Sequence, residues 1–342
     1  MEPLDYIDKK LLTELQKEFP LVHNPFRVLR NKVGITAEET YQRTKRLKEE
    51  KIIRQISAIF DTRSLGYKSS LVAMKIPVDI LEQSAEIINQ HPGVSHNYKR
   101  SHDYNLWFTI AVPPNETLED HIEKLGELAG AEDTLILPTL KLFKIGVKLD
   151  MTGEGLKGED EGETYSGEKQ KLGGKQFSEK EIKFIVAMQE DFPLDLHPYE
   201  KIAESCGYTE EELLRQARYF QEQGYIRRCA GILHHQKAGF IANAMVVWQI
   251  PEDRVKEVAP KLAAYSQVSH CYLRPGYPVF PYNIYTMIHG KSAQDCEAVI
   301  EDMENKVGQF PHQYLYSTKE YKKIRLKFFT PELHEWWTKT NR

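Results

Sequence analysis

The feature that most restricts this chain is that it is written twice. "KEFPLVHNPFRVLRNKVGITAEE", Lys17 to Glu39, returns as "EDFPLDLHPYEKIAESCGYTEEE", Glu190 to Glu212, and "KIIRQISAIFDTRSLGY" returns as "GYIRRCAGILHHQKAGF". Phe19 and Phe192, Ile53 and Ile226, and Gly66 and Gly239 all stand 173 residues apart. The interval grows to 174 at His96 and His270 and to 178 at Tyr104 and Tyr282, so the second copy carries four extra residues, within "PGYPVFP". Two copies of one sequence take one fold, and the repeat sets the architecture before any single residue does. At 342 residues there is chain enough for two cores. Between the copies, Met151 to Lys175 is rich in glycine and acidic residues and nearly free of large apolar ones, which predicts a flexible linker.

Each copy opens with three short helical patterns: Ile7, Leu11, Leu12 and Leu15, then Phe26 to Val33, then Tyr41, Thr44 and Leu47 after Gly34. Thr36 with Glu39, and Thr209 with Glu212, read as capping boxes at the start of the third helix. A strand follows, Ile52 to Phe60 or Tyr225 to Leu233, giving a winged helix-turn-helix. Next come "SSLVAMKIP", "ILEQSAEIINQHP", "VSHNYKR", "YNLWFTIAVP", "LEDHIEKLGELA" and "TLKLFKIGVKL", a βαββαβ order whose sheet has one face open for pairing. The expected fold class is α+β, a tandem duplication of a winged helix-turn-helix plus a ferredoxin-like module. The expected divisions are 1–62 and 177–236 for the helical units, 63–150 and 237–330 for the ferredoxin-like ligand modules, 151–176 for the linker and 331–342 for a tail.

Several function classes are excluded or disfavoured. No run approaches the roughly 18 apolar residues of a membrane span, and "MEPLDYIDKKLLTEL" lacks the features of a secretory signal, which predicts a cytoplasmic address. Four cysteines without C-x-x-C spacing suggest reduced thiols and no zinc knuckle. The net charge of −4 requires any anionic ligand to be held by a local basic pocket. There is no Rossmann or phosphate-loop glycine pattern. Where a DNA-reading helix would carry basic or amide side chains, the third helices carry Glu38 and Glu39, or Glu210, Glu211 and Glu212, which argues against nucleic acid as a partner.

The candidate site lies in "GVSHNYKRSHDYNLWFTI" and "QVSHCYLRPGYPVFPYNIYTMIHG". Strand alternation puts His96, Tyr98 and Arg100 on one face, with Ser95, Asn97 and Lys99 on the other, and groups His270, Tyr272 and Arg274 likewise. Arg54 aligns with Arg227, Arg228 follows it, and His234 and His235 replace Asp61 and Thr62 of the first copy. Such residues supply cationic forks for carboxylates, aromatic faces and proton donors near neutral pH. Plain alternatives stand beside that reading: ion pairs for the arginines, core packing for Tyr104, Trp107, Tyr272, Tyr282 and Tyr285, and local hydrogen bonds for the histidines.

The layout resembles the leucine-responsive (Lrp/AsnC) regulators, with Ser101-His102-Asp103-Tyr104-Asn105 where that family has a Gly-Asp-Tyr-Asp turn. More closely, "AIFDTRSLGYKSSLVAMKI", "AGILHHQKAGFIANAMVVWQIP" and the two stretches above resemble the siroheme decarboxylases of the alternative haem and haem d1 pathways, in which two related subunits pair. The resemblance implies loss of carbon dioxide from the C12 and C18 acetates of siroheme, giving 12,18-didecarboxysiroheme. The macrocycle is its own electron sink, so no separate cofactor is expected, and iron arrives with the substrate. His96, His102 and His270 are the candidate acids. Arg54, Tyr98, Lys99, Arg100, Tyr104, Trp107, Arg227, Arg228, His234, His235, Tyr272, Arg274 and Tyr282 are the candidate substrate contacts. No metal site of the protein's own is expected, with axial ligation of the substrate iron by a histidine left open. The expected partners are the iron tetrapyrrole and the other half of the chain, with a homodimer left open. The alternative is a haem- or amino-acid-responsive transcription regulator.

Overall fold

The computed structural model describes residues 4–145, 175–234, 242–290 and 292–341. Most of the expected linker, and His235, lie outside them. The first helical unit comprises α1 (Tyr6–Lys17), α2 (Pro25–Val33), α3 (Ala37–Glu49) and β1 (Ile53–Phe60), and the first ligand module β2 (Lys68–Lys75), α4 (Leu81–Gln90), β3 (Val94–Arg100), β4 (Leu106–Val112), α5 (Leu118–Ala129), β5 (Asp133–Pro138) and β6 (Lys141–Ile145). The second copy repeats the order in α6 (Glu179–Gln189), α7 (Pro198–Cys206), α8 (Glu210–Glu222) and β7 (Ile226–Leu233), then β8 (Ala242–Trp248), α9 (Glu252–Ala263), β9 (Val268–Leu273), β10 (Ile284–Gly290), α10 (Ala293–Val307) and β11 (His312–Lys323). A last helix, α11 (Glu332–Thr340), ends the chain.

The helix starts follow the caps marked in the sequence, with one difference. Thr209 accepts the Glu212 N–H, and Glu212 accepts the Thr209 N–H at 2.9 Å, closing the box. Thr36 caps Glu39 at 3.1 Å, but Glu39 turns to Arg43 at 3.0 Å, so the reciprocal half is missing in the first copy. A guanidinium one helical turn away outcompetes a single backbone N–H for the carboxylate.

The two helical units share one core. Phe19 and its copy Phe192 lie with ring centroids 6.1 Å apart, and the Tyr199 hydroxyl donates to the Pro20 carbonyl at 2.9 Å. β1 and β7 pair antiparallel with each other, Ser57 opposite Ala230. The strand expected as a wing is therefore a joint between copies.

The ligand modules form one continuous sheet in the order β5-β2-β4-β3-β11-β8-β10-β9-β6. β11 changes partner midway: His312–Tyr316 runs along β8 of its own module and Ser317–Lys323 along β3 of the other. β5 and β6 do the same, pairing with β2 and β9 respectively. One closing strand was expected over "TLKLFKIGVKL"; instead the apolar run from Asp133 to Ile145 is two strands. Pro138 has no N–H to extend the ladder with β2, and the chain crosses to β9, with Leu140 N donating to Leu273 O at 2.9 Å. β5 and β6, the two ends of this order, are separated by only two residues, so the chain links one edge of the sheet directly to the other. The open faces expected from sequence pack on each other around Ala73, Trp107, Leu137, Val247, Phe280, Tyr285 and Leu315, while α4 and α5, and α9 and α10, cover the outer faces.

The tail docks on the first module. Trp337 stacks on His121 at 4.0 Å and Trp336 meets His91 edge-on at 4.3 Å, over a buried His91–His121 hydrogen bond of 2.9 Å. All four cysteines are buried and unpaired. Among the described residues no helix is long and apolar enough to cross a membrane.

Candidate functional site

The two expected rows exist on the inner faces of the sheet. The rings of His96 and Tyr98 stack at 6.3 Å, and the Arg100 guanidinium lies 5.6 Å from the Tyr98 ring and 5.9 Å from Trp107. In the second copy His270 and Tyr272 stack at 5.9 Å, with Arg274 at 4.8 Å from Tyr272 and 5.5 Å from Tyr285. Asn97 points outward, donating to Ala85 O and to Asn89 of α4.

Simple alternation fails at Ser95 and Ser269. Val94 faces Ile110 and His96 faces Thr109, so Ser95 is the extra residue of a β-bulge; Val268 faces Ile288 and His270 faces Met287, so Ser269 is its copy. A bulge re-aims neighbouring side chains. Here it sets each serine hydroxyl against the next histidine: Ser95 Oγ to His96 Nδ1 at 2.9 Å and Ser269 Oγ to His270 Nδ1 at 2.8 Å. The bond fixes the ring and leaves Nε2 for other chemistry.

Both imidazoles are neutral at neutral pH. Burial, then the charges of Lys323 and Arg54, push His96 down to about 4. Burial, then His289, His96, Arg227 and Arg274, push His270 down to about 4. The two histidines thus stand close enough to sense each other, with cations from β1, β7 and β11 around them. Arg54 reaches the Lys323 carbonyl at 3.5 Å, Arg227 lies 3.6 Å from Asp61, and Arg325 donates to Ser57 Oγ and Ala58 O.

The other candidates do not all join them. Arg100 Nη1 donates to Leu315 O at 2.6 Å and Arg274 Nη1 to Leu137 O. Both arginines are buried, and burial lowers their affinity for the proton. They brace each module to a strand of the other, Arg100 to β11 and Arg274 to β5. His102 sits beyond the far end of β3, roughly 13 Å or more along the strand from His96 at 3.3 Å per residue. Its Nδ1 accepts the Tyr104 N–H at 2.9 Å and its ring meets Phe280 edge-on at 5.4 Å. Tyr104 donates to Asp133, Tyr282 packs on Phe280 at 4.9 Å, and Trp107 Nε1 donates to Tyr104 O at 2.6 Å. The single constellation expected from the hairpins is therefore two: a histidine-cation end and an aromatic turn end.

Lys99 lies on the helix face of β3; the hydrogen bonds from Lys319 and then Tyr321 hold Glu82 below the usual carboxylate range, and the Lys99 charge adds to them. Arg228 is half-buried on β7 opposite Ile59, and His234 is exposed, its backbone N–H donating to Ile52 O. Sequence reasoning missed Arg325, Lys323 and His289. His289 Nε2 lies 2.5 Å from Ser269 Oγ, so one hydroxyl bridges His270 and His289. At the interval of 178, the first copy has Ala111 in its place; comparing the copies position by position along β10 would have exposed the difference.

Of the four cations on α3, three are bound to carboxylates of the helical units themselves. Arg43 binds Asp5 at 2.7 Å and Asp8 at 3.0 Å, Arg46 binds Asp8 at 2.6 Å, and Lys48 binds Asp191 at 2.6 Å.

Comparison with known proteins agrees with this layout. The profile of the AsnC-like ligand binding domain matches residues 64–144 and 237–322, and that of the siroheme decarboxylase NirDL-like HTH domain matches 8–54 and 181–227. A siroheme decarboxylase of Hydrogenobacter thermophilus is 39% identical over 328 residues, 96% of each chain. A siroheme decarboxylase beta subunit of Desulfovibrio desulfuricans is 39% identical over 156 residues, 45% of this chain and 98% of its own length. The crystal structure of the siroheme decarboxylase NirDL is 34% identical, with a TM-score of 0.78 over 98% of both chains, and the same protein has been solved with an iron-uroporphyrin III analogue.

Proposed function

The chain belongs to the siroheme decarboxylases, in the form that carries both modules on one polypeptide, and we propose that it releases carbon dioxide from the C12 and C18 acetates of siroheme with His96 and His270 as proton donors. The observation that carries the assignment of roles is the pair of serine-held, neutral histidines set among Arg54, Arg227 and Lys323.

A pyrrole acetate that loses carbon dioxide leaves its electron pair on a methylene carbon, from which the macrocycle delocalises it. Protonation of that carbon then gives a methyl group. The protein's task is to hold the carboxylates, keep water from competing and deliver one proton per acetate. Arg54, Arg227 and Lys323 are suited to the first task. They also couple binding to proton supply. Without substrate, their charges disfavour imidazolium; substrate carboxylates would offset them and raise the affinity of His96 and His270 for protons. His102 then serves the hairpin turn, not the acid role.

Anaerobic incubation with siroheme, followed by mass spectrometry, tests the reading: two successive losses, each of one carbon dioxide, are expected. Stable spectral binding with no mass change would make the chain a tetrapyrrole carrier instead.

A further inference from the structure

At the joint of the two helical units, three side chains from both copies converge. One ring nitrogen each of His23 and His197 and one carboxylate oxygen of Glu200 lie within 4.8 Å of one another. We propose that they form a site for a divalent transition ion of the zinc class, clamping one helical unit to the other.

The hydrogen bonds around the two rings decide which nitrogen is available. His23 Nδ1 meets Glu210 Oε2 at 2.6 Å, and His197 Nδ1 meets the His23 carbonyl at 3.2 Å. A carboxylate and a carbonyl only accept, so each Nδ1 carries the proton. Each Nε2 then holds a lone pair. This is how metal-binding histidines are generally prepared: the second nitrogen donates to a carboxylate or backbone carbonyl, which fixes the tautomer and strengthens the ligand. The rings stack at 4.1 Å with 23° between their planes, which holds the two imidazoles side by side. Glu200, next to them on the first turn of α7 (Pro198–Cys206), supplies the third, anionic donor. Two imidazoles and one carboxylate leave an open position for water in a tetrahedral zinc site, and they also suit cobalt and nickel. The N-terminal end of α7 disfavours a cation, and the carboxylates of Glu200 and Glu210 oppose that effect.

The duplication sharpens the point. At the interval of 173, His23, His197 and Glu200 correspond to Leu196, Asn24 and Arg27. The donor set therefore occurs once and is not an echo of the repeat. The same correspondence provides conservative test residues, since each copy folds with the other's choice. Asn24 caps α2 by accepting the Arg27 N–H at 3.0 Å, so asparagine is a sound cap at position 197.

Full-length protein freed of metal by a chelator is titrated with Co²⁺, watching ligand-field absorption, and the Co²⁺ is then displaced with Zn²⁺. One ion per chain is expected, with a rise in the thermal midpoint that saturates with Zn²⁺. His23→Leu and His197→Asn should each weaken Co²⁺ binding by at least about tenfold, and Glu210→Gln, which weakens the tautomer-fixing bond and removes a nearby negative charge, by about tenfold. The combined His23→Leu/His197→Asn chain, which alters none of the residues proposed to hold siroheme or its protons, should fold, retain siroheme turnover and show no midpoint response to Zn²⁺. Absence of ligand-field bands in the unaltered protein, or unchanged stoichiometry in the combined variant, would overturn the proposal.

Discussion

Arg274 of the second module donates its guanidinium Nη1 to the backbone carbonyl of Leu137 in the first, and 174 residues earlier Arg100 makes the matching bond to Leu315. Each arginine is stacked on aromatic rings in the closed inter-sheet core. Replacing either with methionine strips a buried carbonyl of its donor. A stability loss of about 2–3 kcal/mol is expected, read as a lower denaturant midpoint in a single transition, because the bond joins the modules. Two transitions would show that the modules unfold independently.

His96 and His102 separate acid from architecture. His96→Ala or His270→Ala should cut siroheme turnover by about 10²–10⁴-fold, the usual contribution of a positioned acid. His102→Ala removes hydrogen bonds to the Tyr104 N–H and to Gln313; it should cost about 1–2 kcal/mol of stability and leave turnover near that of the parent. A large loss of turnover in His102→Ala with unchanged stability would return that residue to the chemistry.

The Ser269 bridge makes the two copies unequal. His270 is linked through Ser269 to His289, whereas the Ser95–His96 pair has Ala111 in the corresponding place. His289→Ala should therefore slow one of the two decarboxylations, let the singly decarboxylated tetrapyrrole accumulate and shift the pH profile of that step alone. His289→Gln, which keeps a hydrogen-bonding group beside Ser269, should restore part of the rate. Equal slowing of both steps would refute the division of labour.

Acid should weaken the fold through the same histidines. In the folded chain His96 and His270 titrate at about 4, against an ordinary 6.5. Below pH 6.5 the unfolded chain takes up protons that the folded chain refuses, so stability is full above 6.5 and falls as pH drops toward 4. Each tenfold difference in proton affinity between the two states is worth about 1.4 kcal/mol, which makes the decline on the order of 3 kcal/mol per histidine. Urea unfolding at a series of pH values measures it, and a His96→Asn/His270→Asn chain should lose that part of the slope.

The duplicated architecture was legible because it depends on patterns many residues long: apolar periodicity, capping threonines and a constant interval. The His-Tyr-Arg rows were legible because strand alternation is local. Three features depend on information the local pattern lacks. The bulges at Ser95 and Ser269 appear only once the partner strand sets the count. The crossing after Pro138 depends on a ladder with β9, more than 120 residues away along the chain. The roles of Arg325 and Lys323 arise because the end of β11 returns to the first copy. Arg100 and Arg274 show the converse: alternation put them on the correct face, yet only the packed sheets reveal a backbone carbonyl as their partner.

The exchanged strands change what the covalent connection between the copies is for. Cohesion resides in the ladders of β11 with β3 and of β6 with β9, so the two copies are held to each other by hydrogen-bonded strands and do not depend on a covalent link. The two copies produced as separate chains in one cell should co-purify as a two-piece assembly that survives gel filtration. A half produced alone would carry an unmatched edge and a projecting strand, which is a recipe for self-association.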